Sequence, residues 1–191
     1  MSESVKEKKP SQAGYYIRIV GTLFVITTVV ALLLALVNLL TKPTIDRRAA
    51  EKKAAAMEQV MPDAEFTPVA QLPQVDGILE MQEAKSGQDV KGYCVQVETN
   101  GFGGAMELMV GVDQNGVVTG VTILSHAETL NTDKHGQLIE RYVGSAGELA
   151  IAKDGGTIEA ISGATVTSRA VTRGVNSALA AVRAYTQGGT Q

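Results

Sequence analysis

Between Ile19 and Leu40 the chain carries no charged side chain. At about 1.5 Å per helical residue, this run of about 22 residues spans roughly 33 Å, the thickness of a bilayer's hydrocarbon core. A cleaved signal peptide would have a shorter apolar region, about 7–15 residues, followed by a small-x-small site. Val37-Asn38-Leu39-Leu40-Thr41-Lys42-Pro43 offers no such site, so the segment reads as a retained anchor. Tyr15 and Tyr16 stand just before it, where an aromatic belt meets the interface. Lys6, Lys8, Lys9 and Arg18 precede the span, and Lys42, Arg47, Arg48, Lys52 and Lys53 follow it. With charges so nearly balanced, the positive-inside rule does not decide the orientation.

Beyond the anchor, Thr44–Met61 is rich in Ala, Glu, Lys and Met and stops at Met61-Pro62-Asp63, a helix with a clear terminator. Its many charges predict a solvated juxtamembrane stalk over residues 41–62. Pro68 and Pro73 mark Thr67–Val75 as loop. Period-two alternation then takes over. Gly92–Thr99 reads as a half-buried strand; Met106, Leu108, Val110 and Val112 share one face of the next; and Val117, Val121 and Ile123 share a face of a third. The glycine-rich Gly101–Gly104 segment joins the first two strands, and Asn115-Gly116 signals a two-residue hairpin turn with positive φ between the others. Gln137–Val143 suggests a short helix. From Thr167 to Thr186 the period becomes helical, with Val171, Val175, Ala178, Leu179 and Val182 on one stripe and Arg169, Arg173 and Arg183 off it. The pattern predicts an α+β architecture: a polar tail over residues 1–18, a single transmembrane helix over 19–40, the stalk, a small domain over 63–187 with a twisted antiparallel sheet and packed helices, and a short tail over 188–191.

Composition narrows the function. A net charge of −3 and the absence of Trp argue against a nucleic-acid partner. The single cysteine, Cys94, excludes an internal disulfide and a four-cysteine iron–sulfur site, and it lies within the first strand as a small apolar residue. The two histidines, His126 and His135, have no clustered ligands at metal spacing, so no metal site is expected.

The chemistry concentrates in Glu159-Ala160-Ile161-Ser162-Gly163-Ala164-Thr165-Val166-Thr167-Ser168. Small residues lead into a helix start. Unpaired N–H groups and the positive end of the helix dipole make such a start receptive to phosphate. Thr165 or Thr167 can equally be a plain N-cap. The local pattern leaves both readings open.

This decamer resembles the flavinylation motif of the FMN-binding subunits of Rnf and Na⁺-translocating NADH:quinone oxidoreductase complexes. The motif consists of an acidic residue, two variable positions, Ser/Thr, Gly/Ser, Ala and the acceptor Thr, here Glu159, Ser162, Gly163, Ala164 and Thr165. Glu159 stands where Asp is more common. The apolar span, the charged helix after it, Val60-Met61-Pro62, Gly101–Gly104 and Ser125-His126-Ala127-Glu128-Thr129 extend the likeness to the Rnf G subunit over most of residues 19–185. Relatives continue after the last of these with Pro-Gly-Leu-Gly, whereas this chain has Leu130-Asn131-Thr132-Asp133.

The resemblance implies FMN held by a phosphoester on Thr165, installed from FAD by a separate flavin transferase. It further implies cofactor contacts from Ser162, Gly163, Ala164, Thr167 and Ser168, and from Glu128, Thr129 and Leu130 in the loop after the last strand. Thr165 would be an attachment point, with no catalytic residue in the chain itself. Arg169 and Arg173 are candidates to neutralise the phosphate, or a solvated helix face. The family places this domain outside the cytoplasm on a single-pass protein of the cell membrane, with the N-terminal tail inside. The implied role is electron transfer within a complex that couples ferredoxin oxidation and NAD⁺ reduction to Na⁺ or H⁺ translocation, alongside other membrane and redox subunits. With no nicotinamide fingerprint and no cluster cysteines, the chain cannot run that reaction alone. Two other readings stand beside this one: a stand-alone, membrane-anchored extracytoplasmic flavoprotein, and a structural module in which Thr165 merely caps a helix.

Overall fold

Helix α1 runs from Gln12 to Val60. It begins the computed structural model, which describes residues 12–127 and 132–188. The chain divides into two compact units, Met1–Ala49 and Ala50–Gln191. In the first, every side chain of α1 from Tyr15 to Leu40 is exposed, including Leu23, Phe24, Leu34 and Leu39. This helix is long and apolar enough to cross a membrane, and lipid is the solvent that such a surface suits. Two of its hydroxyls bond back to the helix's own carbonyls. Thr22 Oγ1 donates to the Arg18 carbonyl at 2.8 Å and Thr27 Oγ1 to that of Leu23 at 3.0 Å. Pro43 lies inside α1 without ending it, so the expected span and the expected helix from Thr44 are one continuous helix. A proline costs the helix one hydrogen bond, here at the Leu39 carbonyl. That carbonyl sits at the end of the apolar run, three residues before Lys42.

The second unit opens with the last turns of α1, earlier than the boundary at residue 63 drawn from the sequence. Ala56, Met57, Val60 and Met61 are buried, and Lys52 and Lys53 reach the Leu124 carbonyl and Glu80. This stretch is therefore not solvated all round. Five strands follow, β1 (Glu65–Pro68), β2 (Ile78–Ser86), β3 (Asp89–Asn100), β4 (Ala105–Asp113) and β5 (Val118–His126), paired in that order as an antiparallel meander. β1 and β2 carry no readable strand pattern in the sequence. β1 is a short edge strand ending in Pro68, a residue that edges tolerate. β2 fully buries only Met81 and Ala84, one in each of two hydrophobic clusters, so neither of its faces shows an apolar run.

The sheet is covered on both sides. One face carries Val95, Val97, Met106, Leu108, Val110, Val112, Val118 and Val121 against Val171, Val175, Ala178 and Val182 of α3 (Thr165–Gly188). The other sets Ala84, Cys94, Met109 and Leu124 against the end of α1. There the backbones nearly touch: a Cβ on Gly120 would lie 2.9 Å from Val60 Cα, and one on Gly111 would lie 2.7 Å from the Val60 carbonyl. Thr119 Oγ1 locks the approach by donating to that same carbonyl at 2.7 Å.

The β4–β5 turn is longer than expected. Asp113 N–H bonds to the Val117 carbonyl, and only Gly116 has positive φ. Asp113 Oδ1 accepts from the Asn115 and Val117 N–H groups, which favours this wider loop over a two-residue turn. As a result Val118, rather than Val117, enters the core. Helix α2 spans Thr132–Glu140, earlier than the expected 137–143, and α3 starts at Thr165 instead of Thr167.

Candidate functional site

Thr165 is the first residue of α3. The turn before it, Ile161 to Ala164, closes through the Ala164 N–H to the Ile161 carbonyl at 3.0 Å, with Gly163 at φ 80° in its third position. That is a type II turn, and its third position favours glycine. The turn presents Ser162 and Gly163 to solvent, buries Ala164 in the core and leaves Thr165 half-buried.

Ser168 holds this turn from beneath. Its Oγ accepts from the Ile161 N–H at 3.1 Å and donates to the Ala164 carbonyl at 2.9 Å, and the side chain is 0% exposed. Thr167 is 2% exposed. Beside the motif's acceptor, both are expected to contact the cofactor. In the structure their side chains point into the protein, because positions two and three past Thr165 turn onto the core face of the helix.

The first helical hydrogen bond of α3 runs from the Ser168 N–H to the Ala164 carbonyl at 2.9 Å. Ala164 therefore occupies the cap position and has no side-chain oxygen to cap with. Thr165 does not act as the N-cap. Its Oγ1 instead accepts a hydrogen bond from Lys153 Nζ at 3.2 Å.

Lys153 arrives on a tight loop. Residues 150–158 fold back through an Ile151–Ile158 bridge and a 3-10 turn, Ala152–Asp154, with Gly155 at φ 88°. Gly156 is packed so closely that a Cβ would fall 2.0 Å from the Ala150 carbonyl. Asn176 of α3 clamps the start of this loop, accepting from the Leu149 N–H at 2.9 Å and donating to the Leu149 carbonyl at 2.7 Å. Lys153 is the site residue that sequence reasoning missed. Its only signal there is a lysine before Asp154-Gly155-Gly156, ahead of the motif.

The two arginines considered for phosphate are otherwise engaged. Arg169 makes a two-pronged pair with Asp154, Nε to Oδ2 at 2.8 Å and Nη2 to Oδ1 at 2.6 Å. Those bonds hold the Asp154 carboxyl below its ordinary range. Arg173 Nη2 donates to the Asn100 carbonyl at 2.7 Å. Thr99 Oγ1 also bonds the Ala170 carbonyl at 3.1 Å. The Gly101–Gly104 loop thus leaves β3 beside the first two turns of α3, with Phe102 75% exposed at its tip. The motif's acidic residue, Glu159, is exposed, and its carbonyl accepts from Arg141.

Glu128, Thr129 and Leu130 lie outside the described residues. Just before them, His126 and the buried His135 meet edge to face with ring centroids 4.5 Å apart. Among the described residues no three His, Cys, Asp or Glu side chains gather as a metal site. Cys94 is buried in the sheet, and burial pushes its thiol up to about 12.

The turn meets the requirements of a phosphate ester: a reachable hydroxyl, small exposed neighbours, a lysine already at the oxygen and the positive end of a helix. The family model described as the FMN-binding domain matches residues 101–180, which include the turn, and that of the RnfG N-terminal region matches residues 17–60. The chain is 34% identical over 176 residues to the G subunit of the Na(+)-translocating ferredoxin:NAD(+) oxidoreductase complex of Acetobacterium woodii, covering 81% of this chain and 85% of the relative. It is 32% identical over 167 residues to the G subunit of the proton-translocating ferredoxin:NAD(+) oxidoreductase complex of Clostridium ljungdahlii, covering 82% and 86%. The G subunit of the ion-translocating oxidoreductase complex of Methanosarcina acetivorans is 30% identical over 175 residues, covering 85% and 92%.

Proposed function

The chain belongs to the family of Rnf complex G subunits, and from that premise we propose that it carries FMN as a phosphoester on Thr165. It is an electron-transfer subunit of a membrane-bound, ion-translocating ferredoxin:NAD⁺ oxidoreductase. When bound, FMN supplies the redox chemistry; the protein supplies position and environment. The observation that carries the proposal is the state of Thr165 Oγ1: half-buried rather than sealed, not used as a helix cap, and already touched by a lysine.

Attachment is a transfer from FAD catalysed by a flavin transferase. Thr165 Oγ1 bonds to the phosphorus of the FMN half as the pyrophosphate P–O bond breaks. AMP leaves, and the hydroxyl proton passes to a base. Ser162 and Gly163 keep the approach open, and Lys153 and the α3 N-terminus face the charge that the ester retains. The Gly101–Gly104 loop, with Glu128, Thr129 and Leu130, is assigned to the flavin's surroundings. The apolar part of α1 holds the subunit in the lipid bilayer of the cell membrane among the other subunits of the complex, with the FMN domain on the extracytoplasmic side. On that side a cofactor that dissociated could not be replaced from the cytosolic pool, which gives the covalent bond its use.

Co-expression of the chain with a flavin transferase tests this directly. A denatured sample should fluoresce on a gel, and the Thr165 peptide should carry one added FMN. Thr165→Val should lose both signals and keep the fold. An unmodified Thr165 peptide, where a control acceptor protein is labelled, would sink the proposal.

A further inference from the structure

We propose that Lys153 is the residue that takes up the phosphate charge at Thr165, and that Arg169 serves it indirectly by neutralising Asp154. This deepens the proposed function and rests on it. The sequence offers Arg169 and Arg173 for this task, but the structure commits both elsewhere. Arg173 is on the Asn100 carbonyl, and Arg169 is bound through two nitrogens to Asp154. Lys153 Nζ is the cation found on Thr165 Oγ1, at 3.2 Å.

The placement is built rather than incidental. The backbone of Lys153 is fixed by a 3-10 turn, by the Asp154 N–H on the Ile151 carbonyl at 2.8 Å and by the Gly156 N–H on the same carbonyl at 3.0 Å. The side chain above it is flexible, with three donors, so it can follow the charge from a hydroxyl to a phosphodiester. A phosphodiester on Oγ1 keeps one negative charge on the phosphate oxygens two bonds beyond Oγ1, the atom Lys153 already touches.

Asp154 is the hazard in this arrangement. It follows Lys153 directly in the chain, and a bare carboxylate there would compete for the ammonium and repel the incoming phosphate. The Arg169 fork removes that competition, because a planar guanidinium matches a carboxylate better than an ammonium does. The Arg169–Asp154 pair therefore holds Lys153 available, and Arg169 is a positioning residue.

The test uses the full chain in detergent, FAD and a limiting amount of flavin transferase. The initial rate of FMN incorporation is read by in-gel fluorescence and intact mass, and thermal melting of each unlabelled variant checks the fold. Lys153→Met should slow incorporation by about tenfold or more, the order expected for one charge-assisted hydrogen bond. Lys153→Arg should recover most of the rate, which a purely structural role would not predict. Arg169→Gln should slow it, and adding Asp154→Asn to Arg169→Gln should restore it. Wild-type rates in Lys153→Met, or equal slowing in Lys153→Met and Lys153→Arg, would overturn the role of Lys153 while leaving Thr165 labelled. Failure of Asp154→Asn to rescue would overturn the role of the Arg169–Asp154 pair. Absence of FMN on wild-type Thr165 would instead overturn the attachment reading on which both depend.

Discussion

Replacing Ser168 by alanine separates two roles that the sequence alone conflates. As a phosphate contact, Ser168 would matter only once FMN is present. As placed in the structure, it matters to the empty protein. Its Oγ holds the Ile161 N–H at 3.1 Å and the Ala164 carbonyl at 2.9 Å. In Ser168→Ala the Ala164 carbonyl keeps its bond from the residue-168 N–H, so it is not orphaned. The Ile161 N–H loses its acceptor within the core. Leaving a buried donor unpaired costs about 1–3 kcal/mol. Alanine's better helix propensity returns up to roughly 0.5 kcal/mol. Taking the middle of that range, about 2 kcal/mol, the expected net loss is about 1.5–2 kcal/mol, or roughly 3–8 °C in melting temperature for a domain of this size. Thermal and urea unfolding of the full chain in detergent, followed by circular dichroism before any flavin is attached, reads this out. A variant within about 0.5 kcal/mol of wild type, the range of a neutral surface substitution, would refute the account of the turn and restore Ser168 as a flavin contact.

Gly156→Ala should both destabilise the fold and slow flavinylation, because its Cβ would fall 2.0 Å from the Ala150 carbonyl and shift the loop that carries Lys153; melting and incorporation rate measured together check this. Tyr142→Phe should cost about 1 kcal/mol by urea unfolding, since it removes a buried hydroxyl 2.8 Å from Thr172 Oγ1 while Thr172 keeps its bond to the Ser168 carbonyl. Cys94 should resist alkylation at pH 8 in the folded protein and react fully in denaturant, as followed by mass spectrometry. Its thiol is raised to about 12, so the reactive thiolate forms only as pH climbs toward that value, and the side chain is 1% exposed. An alkaline phosphatase fused after residue 188 should be active in cells if the FMN domain is extracytoplasmic, and inactive if it faces the cytoplasm.

The sequence shows most plainly those parts of the fold whose physics is local and repetitive. The uncharged run of α1, the alternation in β3 and β4 and the stripe of α3 each repeat one environment along one element. β1 and β2 escape because an edge strand and a strand divided between two clusters present no repeating face. The end of α1 reads as solvated from its charges, but Ala56 and Met57 join the buried cluster on the sheet and Val60 fits against Gly111 and Gly120. That packing depends on glycines some fifty residues away, which no local window contains. The same limit governs the site. The turn and helix start at Thr165 are legible because their residues are neighbours in sequence. Lys153 is not, because a loop closed by Asn176 and Gly156 brings it there. Arg169 reads as a phosphate candidate or a solvated helix face because its partner, Asp154, is a neighbour only in the fold.

The open setting of Thr165 bears on why the proposed linkage is covalent. Cofactor sites that rely on affinity usually enclose most of the ligand in an apolar cleft. Among the described residues the proposed attachment point lies on an exposed turn, with Ser162 and Gly163 facing solvent, and the grooves along the far half of α3 at Gly147, Asn176 and Arg183 share no residue with it. An ester bond fixes the cofactor without requiring enclosure. The turn can then remain open to the transferase that loads it and to the redox partners that exchange electrons with it. Rigidity at such a site has to come from below, and Ser168, the close-packed Gly156 loop and the Asn176 clamp provide it. The expected consequence is that substitutions in these supports disturb loading through stability, whereas Lys153 and Arg169 disturb it through charge.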